Sequence, residues 1–236
     1  MKTDSGRHPA ATVERVVLLD ATGRPTGTAP KIAVHHADTP YHLAFSAHVV
    51  DGRGRVLVTR RALRKATWPG VWTNACCGHP QPGETLRQAV TRRLAHELGL
   101  RSRRLAVALP DFSYRATMPD GVTEHELCPV LVAEVDGEPS PNPDEVADAR
   151  WLAWGRFVAR ARRRPGSLSP WSVAQTARLA AVAAAGPLAW LDAHAPGASA
   201  AAGVATGAAP IGLDTPVTVP TDVHRPEGSS AGPSGA

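Results

Sequence analysis

GHPQPGETLRQAVTRRLAHELGL, residues 78 to 100, is the stretch that decides how this chain folds. Leu86, Ala89, Val90, Leu94 and Leu98 recur at the spacing of a helix with one apolar face, and Gly99 follows as its stop. Gly78 is followed by Glu84, Arg92, Leu94, Glu97, Gly99 and Leu100 at intervals that helical periodicity alone does not supply. An ordinary amphipathic helix with scattered charges is the bland alternative. It leaves the spaced glycines, Arg92 and Glu97 without a reason.

Strands surround this helix. Val13 to Leu19 runs into the turn Asp20-Ala21-Thr22-Gly23, and His42 to Val50 joins Arg55 to Arg60 through Asp51-Gly52-Arg53-Gly54 as a hairpin. Val71 to Cys77, Arg104 to Leu109 and His125 to Val135 are further strand candidates, and Asp144 to Trp151 reads as a turn at an element boundary. Trp154 to Arg164 and an Ala-rich stretch ending near Ala185 read as helices, the second opened by Ser169 as N-cap and Pro170 at the first helical position. The expectation is an α/β (α+β) chain with a mixed sheet flanked by helices.

Composition narrows the class. The chain has 236 residues, 43% hydrophobic and 20% charged, as in an ordinary globular domain. From Ala184 it runs AAGPLAWLDAHAPGASAAAGVATGAAP and on through Pro/Gly/Ser-rich sequence, too poor in large apolar side chains to offset ordering entropy. The expected division is a flexible N-terminus over 1–12, a domain over 13–185 and a disordered tail over 186–236. No apolar run reaches the roughly 18–20 residues that span a bilayer, and MKTDSGRHPAATVERVV lacks the apolar stretch expected of a signal peptide. Adjacent Cys76 and Cys77 with a lone Cys128 make a poor disulfide framework, so a reducing cytoplasm is the expected setting. The net charge of +5 suits nucleic acid or a small anion equally.

The 78–100 segment resembles the Nudix box, a loop–helix–loop motif that presents carboxylates to a magnesium-bound diphosphate. Oxygen ligands shared with phosphates suit Mg²⁺. The resemblance is partial: Arg92-Arg93 stands where a hydrolytic box has Arg-Glu, and His96-Glu97 where it has Glu-Glu. Glu97 alone remains of the metal-binding cluster, which argues against metal-assisted hydrolysis.

Other motifs lie on either side. Lys31, His35 and His42 stand in a KxxxHxxxxxxH pattern; Thr73 to Pro80 reads TNACCGHP; Glu124 and Glu126 form an ExE pair after Tyr114; Ser169 to Trp171 reads SPW. In this order the chain is similar to the type 1 isopentenyl-diphosphate isomerases, a divergent Nudix group whose degenerate helix is itself a trait. The resemblance covers roughly residues 16–185.

Read by themselves, three imidazoles (His35, His42, His79) and two carboxylates (Glu124, Glu126) make an N/O donor set suited to Zn²⁺ or Mn²⁺. Glu124 and Glu126, two apart on a strand, share a face. His36 and His125 point elsewhere on an extended chain, Cys76 faces away from Cys77, and Cys128 reads as a small buried hydrophobe. The resemblance implies interconversion of isopentenyl and dimethylallyl diphosphate by protonation and deprotonation. It also implies Cys77 and Glu126 as the acid/base pair, Tyr114 assisting, and Trp171 shielding the cation. It further implies Glu97 and the Cys77 backbone carbonyl as Mg²⁺ ligands, and Lys31, Arg61, Lys65 and Arg93 as cations for the diphosphate. The partner expected is the small diphosphate alone, with no nucleic acid or membrane, and the chain a monomer. A hydrolase of nucleoside diphosphate derivatives and a catalytically silent RNA-binding module are the alternatives. Arg93 and His96 speak against the first, and the lack of aromatic–basic interleaving against the second.

Overall fold

The apolar spacing of residues 86–98 closes into helix α2 (Leu86–Leu98), with every one of its five expected core positions fully buried. Thr85 caps it in a capping box with Gln88, and Gly99 ends it in the left-handed conformation at φ 64°. The computed structural model describes residues 13–194 and 211–220; the expected flexible N-terminus over 1–12 lies outside them.

Two sheets build the frame. The first holds β1 (Arg15–Leu19), β2 (Pro25–Pro30), β3 (His42–Leu43), β9 (Ser113–Thr117) and β10 (Thr123–Leu127) in the order β2-β1-β3-β10-β9. The second holds β4 (Phe45–Val50), β5 (Arg55–Arg61), β8 (Ser102–Leu109), β11 (Val130–Val135) and β12 (Val146–Ala153) in the order β12-β5-β4-β11-β8. Short β6 (Trp72–Asn74) pairs with β5, and β7 (Cys76–Gly78) with β4. Helices α3 (Trp154–Arg163) and α4 (Pro170–Val182) close one face, and the brief α1 (Lys31–Val34) follows β2. Ser169 caps α4, its hydroxyl accepting from Ser172 N–H.

Two expected strands are each split between the sheets. His42–Val50 breaks at Ala44 into β3 and β4, and the 125–135 strand breaks at Cys128-Pro129 into β10 and β11. Pro129 has no N–H to continue a ladder, and the two breaks lie side by side: Ala44 N–H donates to Leu127 C=O, Ser46 N–H to Pro129 C=O. The pairs β3/β10 and β4/β11 both run parallel. His42, Ser46, Glu126 and Cys128 therefore gather where both chains cross from one sheet to the other.

The centre of the larger sheet is apolar on both faces because both are covered. Along β11, Val130 and Val132 join the core with α3 and α4, while Leu131, Ala133 and Val135 join the core with α2. Along β4, Phe45, Ala47 and Val49 face α2; the opposite face carries Ser46 and His48 beside Val50. Two polar side chains thus sit fully buried against α4.

The boundary expected at residue 185 is corrected. Residues Pro187–Ala193 form helix α5, with Trp190 and Leu191 buried, and residues 211–220 lie against α2 with Val217 buried. Val217 exchanges backbone hydrogen bonds with Gly83 and Glu84, Leu213 C=O accepts from Arg87 N–H, and Arg87 forks onto Asp214. A few large side chains among many small ones suffice to dock each piece. The remainder of the expected tail, 195–210 and 221–236, lies outside the described residues. The turn expected at 144–151 is largely strand β12, whose mixed burial hides its period.

Candidate active site and metal centre

Four of the expected metal ligands converge. One ligand atom each from His35, His42, His79 and Glu126 lies within 4.8 Å of all the others. Glu126 Oε1 stands 3.3 Å from His79 Nε2, 3.5 Å from His42 Nε2 and 3.9 Å from His35 Nε2. His35 follows α1, His42 lies on β3 opposite Glu126 of β10, and His79 follows β7. His35 Nε2 and His42 Nε2 are buried without a hydrogen-bond partner among the described residues. Burial alone would raise the Glu126 carboxyl, but the three imidazoles hold it well below its usual range. Burial pushes His79 down to about 4. A carboxylate anion beside a neutral imidazole and orphaned ring nitrogens is the donor set a divalent cation needs, and the cluster could hold one. His42 Nδ1 lies 2.8 Å from Pro40 C=O, which orients Nε2 inward.

Glu124 is not in that four-atom group. It joins through Tyr114, whose hydroxyl lies 2.8 Å from Glu124 Oε2 and 2.9 Å from Glu126 Oε2. Glu124 is raised by burial and then by the neighbouring Glu126. His36 and His125 stay apart, His125 against the Tyr41 ring.

Cys77 lies on β7 directly opposite Ser46 of β4. Its sulfur is 3.3 Å from Ser46 Oγ and accepts from Asn74 Nδ2 at 3.3 Å. Burial pushes its thiol up to about 11, against the pull of those two hydrogen bonds. Cys76 points to the other face, near Glu97. Trp171, Tyr114, Trp68 and Cys77 all pack into the core under α4. The rings of Tyr114 and Trp68 lie 5.6 and 5.7 Å from that of Trp171. The Trp171 N–H donates to Asn74 Oδ1, and the Arg61 guanidinium lies 5.8 Å from its ring centroid.

The expected diphosphate cations separate into groups. Arg93 and Lys65 both pair with Glu145, and Arg93 also with Glu97 at 2.7 Å. Arg61 forks onto Thr67, and Lys31 pairs with Glu14 at 2.6 Å. Arg93 crosses Gly78 so closely that a Cβ there would stand 3.0 Å from Arg93 Cγ, a close approach that any larger residue would have to push back. Arg92 forks onto Glu84 and donates to His79 C=O, tying α2 to the loop that carries His79. Glu97, an expected Mg²⁺ ligand, is buried in its pairing with Arg93.

Sequence reasoning missed several of these residues. Glu145 sat in a stretch read as a turn. Asn74 lies within TNACCGHP but carried no assigned role. Trp68 holds φ +50°, and its indole N–H is buried without a partner among the described residues. Ser46 and Gln175 looked like ordinary strand and helix residues.

The NUDIX domain family matches residues 40–172. An isopentenyl-diphosphate Delta-isomerase of Frankia alni is 57% identical over 162 residues, 69% of this chain and 84% of that protein. The chain belongs to the isopentenyl-diphosphate Delta-isomerase branch of the Nudix family. A member of the same branch from Saccharopolyspora erythraea is 51% identical over 178 residues, 75% of this chain and 91% of the relative. The crystal structure of DR0079 from Deinococcus radiodurans, 22% identical, covers 66% of this chain and 92% of its own with a TM-score of 0.50, a likeness of fold alone. Among the described residues no helix is long and apolar enough to cross a membrane. In place of a carboxylate cluster, α2 carries a buried Arg93–Glu97 pair.

Proposed function

We propose that this chain interconverts isopentenyl and dimethylallyl diphosphate, with Cys77 and Glu126 as its acid/base pair. The observation that carries the reading is a half-buried thiol and a buried carboxylate sharing one aromatic-walled site with Tyr114 and Trp171. The reaction adds a proton to the terminal CH₂ of the double bond, leaving a tertiary cation, and takes a proton from C2. Two acid/base groups and exclusion of water are its requirements.

Cys77, held protonated by burial, and Glu126, held ionised by its histidines, stand in complementary states at neutral pH. Tyr114 hydrogen-bonds Glu126 and orients it. The Trp171 π-face, with its N–H anchored on Asn74, supplies a surface for developing positive charge, and Trp68 and Tyr114 keep water from it. Arg61, Lys65, Arg93 and Lys31 supply the cations for the diphosphate.

His35, His42, His79 and Glu126, with Glu124 beside them, would hold Zn²⁺ or Mn²⁺, and Glu97 with the Cys77 carbonyl would hold Mg²⁺ against the diphosphate. When bound, these ions would neutralise phosphate charge and fix the Glu126 carboxyl. The substrate is the partner, and the cytoplasm the setting.

The reading is tested by kinetics of Cys77→Ala and Glu126→Gln, each checked for folding and metal content. Loss of isomerisation by at least a hundredfold in both is expected. Appreciable turnover in folded, metal-loaded Cys77→Ala removes the thiol from its role.

A further inference from the structure

A chain of buried polar side chains runs from the Cys77 sulfur into the core beneath α4. Ser46 Oγ lies 3.3 Å from Cys77 Sγ and 3.3 Å from Cys128 Sγ, and accepts from Gln175 Nε2 at 2.8 Å. Gln175 Oε1 lies 3.2 Å from His48 Nε2. Ser46 and Gln175 are completely buried and His48 almost so. Two of these residues share the α4 side of β4, and Gln175 stands one helical turn after Trp171 on α4. A core that would pack more simply with apolar residues keeps three polar ones, each satisfied by the next.

Donor counting assigns the partners along the chain. A serine hydroxyl has one proton and two lone pairs. Gln175 N–H fills one lone pair, which leaves the hydroxyl proton and the second lone pair to the sulfurs of Cys77 and Cys128. The Asn74 amide N–H donates to Cys77 Sγ, and its Oδ1, which accepts the donor-only Trp171 N–H, lies 3.5 Å from the same sulfur. Ser46 and Asn74 thus hold the Cys77 sulfur from two sides, beside Tyr114 and Trp171.

We propose that Ser46 and Gln175, keyed by the Nε2–H of His48, are positioning residues that hold the Cys77 sulfur in the place from which it exchanges a proton with the substrate. This rests on the reading of Cys77 as an acid/base group and adds the device that orients it. None of the three residues touches substrate; each acts through the sulfur.

The test is steady-state kinetics of metal-loaded, full-length Ser46→Ala, Gln175→Leu, their double variant, His48→Leu and His48→Gln, with Cys77→Ala as reference. Ser46→Ala and Gln175→Leu should each lower kcat about tenfold, with KM within twofold of the parent. The double variant should be no worse than the poorer single, since the two act as one unit. His48→Gln, which restores an N–H donor near the Nε2 position, should recover kcat lost in His48→Leu. A merely structural role would lower the folded fraction without splitting kcat from KM or giving that rescue. Parent-like kcat in Ser46→Ala beside an inactive Cys77→Ala overturns the positioning proposal alone; turnover in Cys77→Ala overturns the acid/base reading beneath it. Should Gln175→Leu not fold, Ser46→Ala and the His48 pair decide the matter.

Discussion

Tyr114 and Glu126 are joined by a 2.9 Å hydrogen bond from the phenol to the carboxylate that three histidines surround. The same phenol lies 2.8 Å from Glu124, yet it has one proton to give. Glu124 is raised by burial and by Glu126, and the phenol proton lies between the two carboxylates. Tyr114→Phe should therefore leave metal binding within a few-fold while lowering kcat about tenfold to a hundredfold. Metal titration and turnover on one preparation check this, and an unchanged kcat would contradict it.

His48 makes stability pH-dependent. Its folded pKa is depressed to about 4 by burial, below the ordinary 6.5. The unfolded chain takes up the proton first as pH falls, so stability present above 6.5 is lost between there and about 4. The loss amounts to roughly 3 kcal/mol at the acid end. His48→Gln should flatten that limb of a denaturation midpoint measured against pH; an equally steep limb would show the dependence to come from elsewhere.

Glu145 holds Arg93 and Lys65 together, and the two cations, acting against burial, bring its carboxyl to about 2. Glu145→Gln should cost about 2 kcal/mol of stability, because the buried Arg93 keeps only Glu97 as an ionised partner. It should also raise KM for the diphosphate several-fold by letting both cations drift. Unchanged KM and melting temperature would show the bridge to be idle.

Truncation separates the two docked pieces of the C-terminal region. Ending the chain after Pro210 removes the contacts of Leu213, Asp214 and Val217 with the start of α2. Ending it after Ala185 also removes the buried Trp190 and Leu191. The shorter truncate should lose about 3–5 kcal/mol, near 10 °C in melting temperature, and the longer one less. Equal melting of both truncates and the full chain would refute the docking.

The helix at 86–98 was legible because its apolar side chains obey one period and its glycine stop is local. The four residues of the candidate metal cluster were legible only through motif order, since residues 35, 42, 79 and 126 meet by sheet crossing and no spacing reveals that. The crossings themselves were hidden: FSAHVV and the preceding HLA read as one apolar strand, although Ala44 marks a change of sheet. Ser46 and Gln175 carry no signal until the partner on the facing element is known. The docking of residues 187–193 and 211–220 was missed because averaged composition hides the weight of Trp190, Leu191 and Val217.

The most direct measurement is incubation of the full-length, metal-loaded protein with isopentenyl diphosphate and Mg²⁺ in D₂O, with products resolved by mass and NMR. Dimethylallyl diphosphate carrying deuterium in its new methyl group is the expected result, with none from Cys77→Ala. Absence of allylic product from folded, metal-loaded protein, or product free of solvent deuterium, would contradict isomerisation by proton addition and removal at Cys77 and Glu126.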